Sequence, residues 1–155
     1  MKKFLLTVFC LCVCAFVATA DVNINSAFPD ANFREYVTQY DSDGNGVLSQ
    51  AELDAVTTIS ITQNQNISSL VGVKYFTNLQ YLYIRRNNLT TLDVSGMSKL
   101  EELICDQNQL TSIDMNGLTS LTMLYCSNNN LQTLDLTVLP NLESVHCNSN
   151  NLTSL

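Results

Sequence analysis

The chain has 155 residues, of which 46% are hydrophobic and only 14% charged, with 14 acidic residues against 7 basic ones and a formal net charge of −7. Two of the basic residues, Lys2 and Lys3, stand at the extreme N-terminus, so from residue 21 onward 5 basic residues face 14 acidic ones, a net charge of −9. That balance argues against a nucleic acid or an anionic membrane as partner, because phosphate recognition needs clustered Lys and Arg.

Residues 1–20 read as a secretory leader. Lys2 and Lys3 supply a basic start, Phe4 to Val17 is apolar, and Ala18-Thr19-Ala20 suits cleavage before Asp21. The apolar run is too short and wrongly flanked for a membrane span, and no second one follows. The expected product is therefore secreted or held at the cell surface, without a membrane span.

Asp21 to Ala27 is polar and Asn-rich, which predicts an irregular lead-in. A helix is expected from Phe28: Pro29 fits a first turn, Asp30 favours the positive helix end, and Phe33, Val37 and Tyr40 make one apolar stripe. It should stop where Asp41 opens a polar segment.

Asp41 to Glu52 reads DSDGNGVLSQAE. It is similar, position by position, to the twelve-residue EF-hand calcium loop. Asp41, Asp43 and Asn45 stand at positions 1, 3 and 5, and Gly46 at position 6 permits the sharp turn. Val47 offers a carbonyl at 7, Ser49 a contact through water at 9, and Glu52 a bidentate carboxylate at 12. A second reading covers part of this: Ser49 and Glu52 also form a capping box, with Leu48 and Leu53 as its hydrophobic staple. Capping leaves Asp41, Asp43 and Asn45 unexplained, since carboxylates crowded without a cation repel. The resemblance thus implies calcium as a structural cofactor. EF-hands usually come in pairs, and only one is present, so the first repeat is expected to supply its second apolar surface.

From residue 56 a unit recurs every 21 residues, beginning at Leu79, Leu100, Leu121 and Leu142. Its template is L-x-x-L-x-(I/C)-x-x-N-x-L-x-x-(L/I)-D. Asn87, Asn108, Asn129 and Asn150 share one position, and Cys105, Cys126 and Cys147 share another. A copy one residue longer precedes these at Val56, Ile59, Ile61, Asn64 and Ile67. The pattern resembles the leucine-rich repeat. The fold class it implies is an α/β repeat, a solenoid with a short parallel β-sheet, here capped by the helix–calcium loop–helix. The corresponding segments are 1–20 (leader), 21–55 (cap) and 56–155 (about five repeats, the last incomplete).

The three cysteines outside the leader fill an apolar slot whose sister positions are apolar, so they read as buried thiols in a ladder. The Asn column is expected to turn the backbone and satisfy its polar groups from inside. Asp93, Asp114 and Asp135 read as turn supports.

Side chains between the apolar strand positions should face the concave surface. They are Tyr81, Tyr83, Arg85 and Arg86; Glu102, Ile104, Asp106 and Gln107; Met123, Tyr125, Ser127 and Asn128; and Ser144, His146, Asn148 and Ser149. Tyr83, Ile104, Tyr125 and His146 form one stripe. Tyr and Arg are frequent interface anchors, so the partner-binding candidates are Tyr81, Tyr83, Arg85, Glu102, Ile104, Asp106, Met123, Tyr125 and His146. An enzyme is not expected. His146 is the only histidine, alternation turns Cys147 away from it, and Glu102 with Asp106 on an open sheet lacks the burial that tunes a catalytic carboxylate.

Taken together, the capped 21–22-residue repeats look like secreted leucine-rich repeat proteins of the internalin-like kind. That resemblance implies a module binding a protein or glycan through its concave face; the alternative is a scaffolding piece whose calcium is its only ligand. The final repeat stops at its fourteenth position, which raises the expectation of edge-to-edge association there.

Overall fold

The computed structural model describes residues 21–153; the leader expected over residues 1–20 lies outside them. Among the described residues no helix is long and apolar enough to cross a membrane.

The chain begins with strand β1 (Val22–Asn23) and a single helical turn α1 (Ile24–Ala27), then helix α2 (Ala31–Val37), which runs into a 3₁₀ turn over Thr38–Tyr40. Strand β2 (Val47–Leu48) and helix α3 (Gln50–Ala55) follow. The stripe of Phe33 and Val37 is fully buried, as the spacing predicts, and Asp30 is the N-cap of α2. The lead-in, by contrast, is not irregular. Val22 pairs with Leu48 and Asn23 with Val47 in an antiparallel two-stranded ladder. Val22 and Ile24 are buried, and an isolated V-N-I within a polar stretch carries too short a pattern to reveal a strand whose partner lies some 25 residues away. The first repeat offers its apolar surface to this segment through Phe76, which packs on Phe28 and Tyr40, while the loop's strand partner is β1.

The repeats build the rest. Strands β3 (Thr58–Ile61), β4 (Tyr81–Ile84), β6 (Glu102–Ile104), β8 (Met123–Tyr125) and β9 (Ser144–His146) form one parallel sheet in sequence order. Register is strict: Leu82 faces Leu103, Leu103 faces Leu124, and Leu124 faces Val145. Strand alternation sends one set of side chains inward at 0% exposure (Leu82, Ile84, Leu103, Cys105, Leu124, Cys126) and leaves its neighbours half open. On the convex side, β5 (Thr91–Asp93) and β7 (Ser112–Asp114) add a second, two-stranded parallel sheet that the template does not foretell. It arises from the Leu-Asp return, where Leu92 faces Ile113.

Inside the coil the asparagine column does what its position predicts. Asn108 donates through Nδ2 to the carbonyls of Ile84 (2.8 Å) and Cys105 (3.0 Å), while its Oδ1 accepts the Leu89 N–H. Asn129 repeats the pattern on Cys105, Cys126 and Leu110, and Asn150 on Cys126, Cys147 and Leu131. Each asparagine therefore ties its own coil to the one before. Asn64 departs from the column: it is exposed, and its Oδ1 accepts the Asn66 N–H. The extra residue in that copy is the reason, since it lengthens the turn, which places Asn66 at φ 58°. Cys105 and Cys126 are buried and Cys147 only partly so; all three are free thiols. Burial pushes the Cys105 thiol far above its ordinary value, and burial, with Cys147 nearby, lifts Cys126 to about 12. They pack as apolar groups and are poor nucleophiles. The last coil is more open, with Val145 37% exposed, because among the described residues it has a neighbour on one side only.

The N-terminal segment covers the free edge of β3. The Tyr36 hydroxyl accepts the Ser60 N–H (3.0 Å) and lies 3.3 Å from the Ser60 carbonyl, while the Tyr40 hydroxyl donates to the Thr58 carbonyl (3.2 Å). Two phenols thus satisfy backbone groups that a sheet edge would otherwise present to water or to another strand. Beneath them Phe28, Phe33, Tyr40 and Phe76 pack through ring contacts of 5.5–6.0 Å. Gly72, at φ 100°, passes so close to this cluster that a Cβ there would sit 2.5 Å from Phe28 and 2.7 Å from the Ala27 carbonyl. Only glycine fits.

Candidate functional site

Among the described residues, the loop from Asp41 to Glu52 and the concave face of the five-stranded sheet gather side chains whose chemistry is not spent on packing.

In the loop, carboxylate oxygens of Asp41, Asp43 and Glu52 all lie within 4.8 Å of one another. The backbone folds inward onto them. Asp41 accepts the Gly46 N–H at 2.8 Å and the Asn45 N–H at 3.2 Å, and Asp43 accepts from Asn45 through both backbone and side chain. Asn45 Oδ1 takes the Val47 N–H at 2.7 Å. Gly44 and Gly46 have φ of 70° and 81°, a conformation that side-chain-bearing residues rarely adopt and that the tight turn requires. Val47 leads into β2, so the loop is braced by the β1 ladder.

Glu52 serves two masters. Its Oε2 accepts the Ser49 N–H (2.9 Å) and hydroxyl (2.8 Å), completing the capping box; its Oε1 accepts the Ser42 N–H (2.7 Å) and hydroxyl (2.6 Å). These bonds, led by the Ser42 hydroxyl, pull its carboxyl down to about 2. Glu52 is thus ionised throughout the physiological range and ties the end of the loop to its beginning.

On the concave face the register aligns Tyr83 with Ile104, Ile104 with Tyr125 and Tyr125 with His146, giving the expected stripe. Its two ends differ. At the first end Tyr83 donates to Glu102 (2.7 Å) and Tyr81 to Glu101 (3.3 Å), with the two tyrosine rings 6.4 Å apart. Burial and the Glu102 carboxylate raise the Tyr83 phenol to about 12; the neighbouring Glu101 charge raises Tyr81. Both remain protonated donors. At the other end Tyr125 and His146 stack nearly parallel, 4.1 Å between centroids and 7° between planes. Met123 lies in register between Glu102 and Ser144.

One expected contact residue is placed differently. Asp106 is only 6% exposed, not spread on the open face with Glu102. It lies two residues past the end of β6 and just before Gln107, which turns left-handed at φ 57°, and there the carboxylate is tucked under the sheet's rim. There Oδ1 accepts the Ser127 N–H at 2.8 Å and Oδ2 lies 3.5 Å from Arg85 Nε. Alternation extended past the strand end cannot foresee this, because it holds only while the backbone stays extended. Arg86, Gln107, Asn128 and Ser149 all sit at φ 54–57°, so the whole rim turns alike, coil after coil.

Arg85, Ile104, Asp106, Gln107, Tyr125, Ser127, Asn128, His146 and Asn148 line a cavity of about 390 Å³ at this rim. Asn148, which accepts the Ser127 hydroxyl at 2.8 Å, joins this lining from beyond the end of its strand, outside the partner-binding candidates that the sequence suggests. Its 21-residue spacing from Ser127 and Asp106 is the signal that points to it. A second cavity, of about 400 Å³, lies on the convex side among Leu70, Val71, Tyr75 and Leu92, with the Lys74–Asp93 ion pair (2.7 Å) in its wall. Lys74, with Ser95, holds the Asp93 carboxyl below the usual range. Asp93, Asp114 and Asp135 each accept a backbone N–H two residues on, the turn support their position suggests.

Comparisons with known proteins agree with this geometry. No curated protein matches the chain. Among solved structures, the functional domain of InlJ from Listeria monocytogenes, described as including a cysteine ladder, is 33% identical with a TM-score of 0.76; the match covers 89% of this chain and 31% of that one. The internalin InlF from Listeria monocytogenes is 28% identical with a TM-score of 0.52, covering 88% of this chain and 35% of that one. The chain therefore spans about a third of the length of these solved relatives. A family model, described as the endo-beta-N-acetylglucosaminidase EndoS LRR domain, matches residues 28–151. With its parallel strands in repeat register, the chain is a member of the EndoS-type leucine-rich repeat domain family with an internalin-like solenoid.

Proposed function

We propose that this protein is an exported binding module that receives a partner macromolecule, a protein or a glycan, on the concave face of its sheet. The observation that carries the reading is the stripe Tyr83–Ile104–Tyr125–His146, held in strict register across four strands. Rigid aromatic groups on a preformed surface lose little conformational freedom on contact, which is why such residues dominate interface energetics. Tyr81, Arg85, Glu102 and Met123 flank the stripe, and Asp106 contributes from beneath by orienting Arg85. Export rests on the leader-like residues 1–20. The test is adhesion of the protein to candidate cell surfaces. Tyr83→Ser with Tyr125→Ser is expected to weaken adhesion at least tenfold while leaving the fold intact. Unchanged adhesion by the double variant would favour the scaffolding alternative instead.

The same proposal gives the Asp41–Glu52 loop a calcium ion. Three carboxylates within 4.8 Å of one another repel and favour a compensating charge, and oxygen donors from Asp41, Asp43, Asn45, Val47, Ser49 and Glu52 suit a hard cation that takes six to eight ligands. When bound, the ion would offset two of the cluster's three negative charges. The chain's own part is to hold the donors in place: Gly46 turns the loop, Ser42 and Ser49 orient Glu52, and β1 braces the far side. Extracellular loops of this type bind with Kd of about 10⁻⁴–10⁻³ M. Roughly 10 mM calcium should then stabilise the fold by about 1.4–2.7 kcal/mol, raising Tm by roughly 4–12 °C relative to excess chelator. Asp43→Asn should abolish most of that response in calorimetry, and an unchanged Tm with the wild-type chain would rule the ion out.

A further inference from the structure

The cavity at the C-terminal rim of the sheet has a composition that narrows the chemistry of what enters it. Its lining holds one cation and one carboxylate, Arg85 and Asp106, and they face each other at 3.5 Å. The charges therefore offset within the cavity, while the chain as a whole is acidic. An anionic ligand would meet that overall charge, and a cationic one would have to displace Arg85. Neither is favoured. What remains in the lining is a set of uncharged groups that both donate and accept: the amides of Gln107, Asn128 and Asn148 and the Ser127 hydroxyl.

Two further features matter. Asp106 is 6% exposed, its Oδ1 accepts the Ser127 N–H, and its Oδ2 meets only the long contact to Arg85, beyond the ordinary N–H···O range. A carboxylate oxygen has capacity for a second donor, and an O–H···O⁻ bond in a half-enclosed site is among the stronger neutral-ligand contacts. Beside it Tyr125 and His146 stack face to face, 4.1 Å apart and 7° from parallel, so each ring stiffens the other and covers one of its faces. The outer face of such a stiffened pair, next to donors and acceptors, complements a ring with apolar C–H faces and hydroxyls around its edge. The volume, about 390 Å³, falls within the range of about 300–1,000 Å³ usual for small-ligand sites.

The geometry points to a binding site for a neutral pyranose sugar at this rim, with a C–H face against an outer face of the Tyr125–His146 pair and hydroxyls on Asp106, Asn128 and Asn148. This rests on the concave-face reading above and specifies the glycan side of it. A polar peptide segment is the competing occupant. A peptide offers fixed alternation of N–H and C=O groups and would engage the strand-centred stripe at Tyr83 as strongly as the rim.

The experiment is titration of the exported chain with glucose, galactose, mannose and N-acetylglucosamine to tens of millimolar, followed by ¹H–¹⁵N NMR. Glucuronate, glucosamine and a neutral tripeptide serve as comparisons. At least one neutral sugar is expected to shift the side-chain amide signals of Asn128 and Asn148 and the His146 ring signals saturably, at least tenfold more tightly than the charged sugars or the tripeptide. His146→Ala and Asn148→Ala, both exposed positions, should each weaken that binding at least tenfold while Tm stays within a few degrees. Tyr83→Ser, which lies outside the cavity, should leave it unchanged. Absence of any saturable shift overturns the inference, as does equal binding of charged sugars or the tripeptide. If Tyr83→Ser abolishes adhesion while no sugar binds, the broader concave-face reading stands and the sugar site falls. If sugar binds the rim while the Tyr83→Ser/Tyr125→Ser protein still adheres, the sugar site stands and the broader reading fails.

Discussion

Asn108→Ala is expected to lower the unfolding free energy by about 3–5 kcal/mol, more than most core truncations of similar size. The side chain is 9% exposed and serves three backbone groups on two coils: the Ile84 and Cys105 carbonyls and the Leu89 N–H. Removing it leaves those groups without partners in a dry interior, where an unsatisfied donor or acceptor costs about 1–3 kcal/mol each. Water cannot readily replace the amide, since Leu89 and Leu110 close over the same layer at 0% exposure. Asn129→Ala should behave alike. Asn150→Ala should cost less, because Asn150 is half-buried and solvent can reach its carbonyl partners. Urea denaturation of the three variants tests this order. A loss below about 1 kcal/mol for Asn108→Ala would show that the column is not what links one coil to the next.

The second large effect is expected at Asp30. Its Oδ1 caps α2 by accepting the Asn32 and Phe33 N–H groups (3.0 and 2.9 Å). Its Oδ2 reaches 38 residues along the chain to accept the Ser68 N–H, the Ser68 hydroxyl and the Ser69 N–H. One carboxylate thus starts the helix and fastens the N-terminal segment to the first coil. Loss of the cap alone is worth about 1 kcal/mol, and hydrogen bonds to an ionised acceptor about 1.5–3 kcal/mol each at most. With solvent screening taken into account, Asp30→Ala should cost about 3 kcal/mol. Asp30→Asn should lose roughly half as much, since asparagine caps well but its amide cannot accept all three bonds from Ser68 and Ser69.

The pH dependence follows from the same contacts. Burial by itself pushes the Asp30 carboxyl up, but the bonds from Phe33, Ser68 and Ser69 outweigh it, and the net shift is below the ordinary 3.8. A carboxyl whose pKa is lower in the folded state contributes stability that is fully present above its unfolded value. That contribution is lost as pH falls through the lowered folded one. Glu52, pulled down to about 2 chiefly by Ser42, acts in the same direction. Thermal stability should therefore hold from neutral pH to about 5 and decline below pH 4, with a smaller decline in Asp30→Asn. An acid profile in which wild type and Asp30→Asn fall in parallel would remove Asp30 from this role.

Much of the solenoid was legible in the sequence because a repeat is read many times over. Leu79, Leu100 and Leu121 each fill the same slot, so a chance match at one position is corrected by its sisters. The strand register, the inward cysteines and the inward asparagines all follow from that one period. The N-terminal segment offered no such redundancy. Val22 and Ile24 give too short an apolar pattern to announce a strand and its pairing with Leu48. Tyr36 in α2 and Tyr40 in the 3₁₀ turn that continues it stand at spacing i and i+4, but only the fold shows that both hydroxyls meet the edge of β3. Asp106 makes the same point within the repeats: its spacing placed it on the open face, and the left-handed turn at Gln107 moved it beneath the rim.

By itself, then, the sequence determined what is periodic: the coil, the side each residue faces within a strand, and the candidate ligands of the Asp41–Glu52 loop. Tertiary structure alone decided what depends on contacts distant in sequence. Those are the pairing of β1 with the loop, the Asp30 clamp on Ser68, the tyrosine-capped sheet edge, and the rim cavity where Arg85, Asp106 and the Tyr125–His146 pair converge. The physical reason is that hydrophobic periodicity reports local burial along one element. A specific polar contact depends on how two elements approach each other, and no local pattern carries that information.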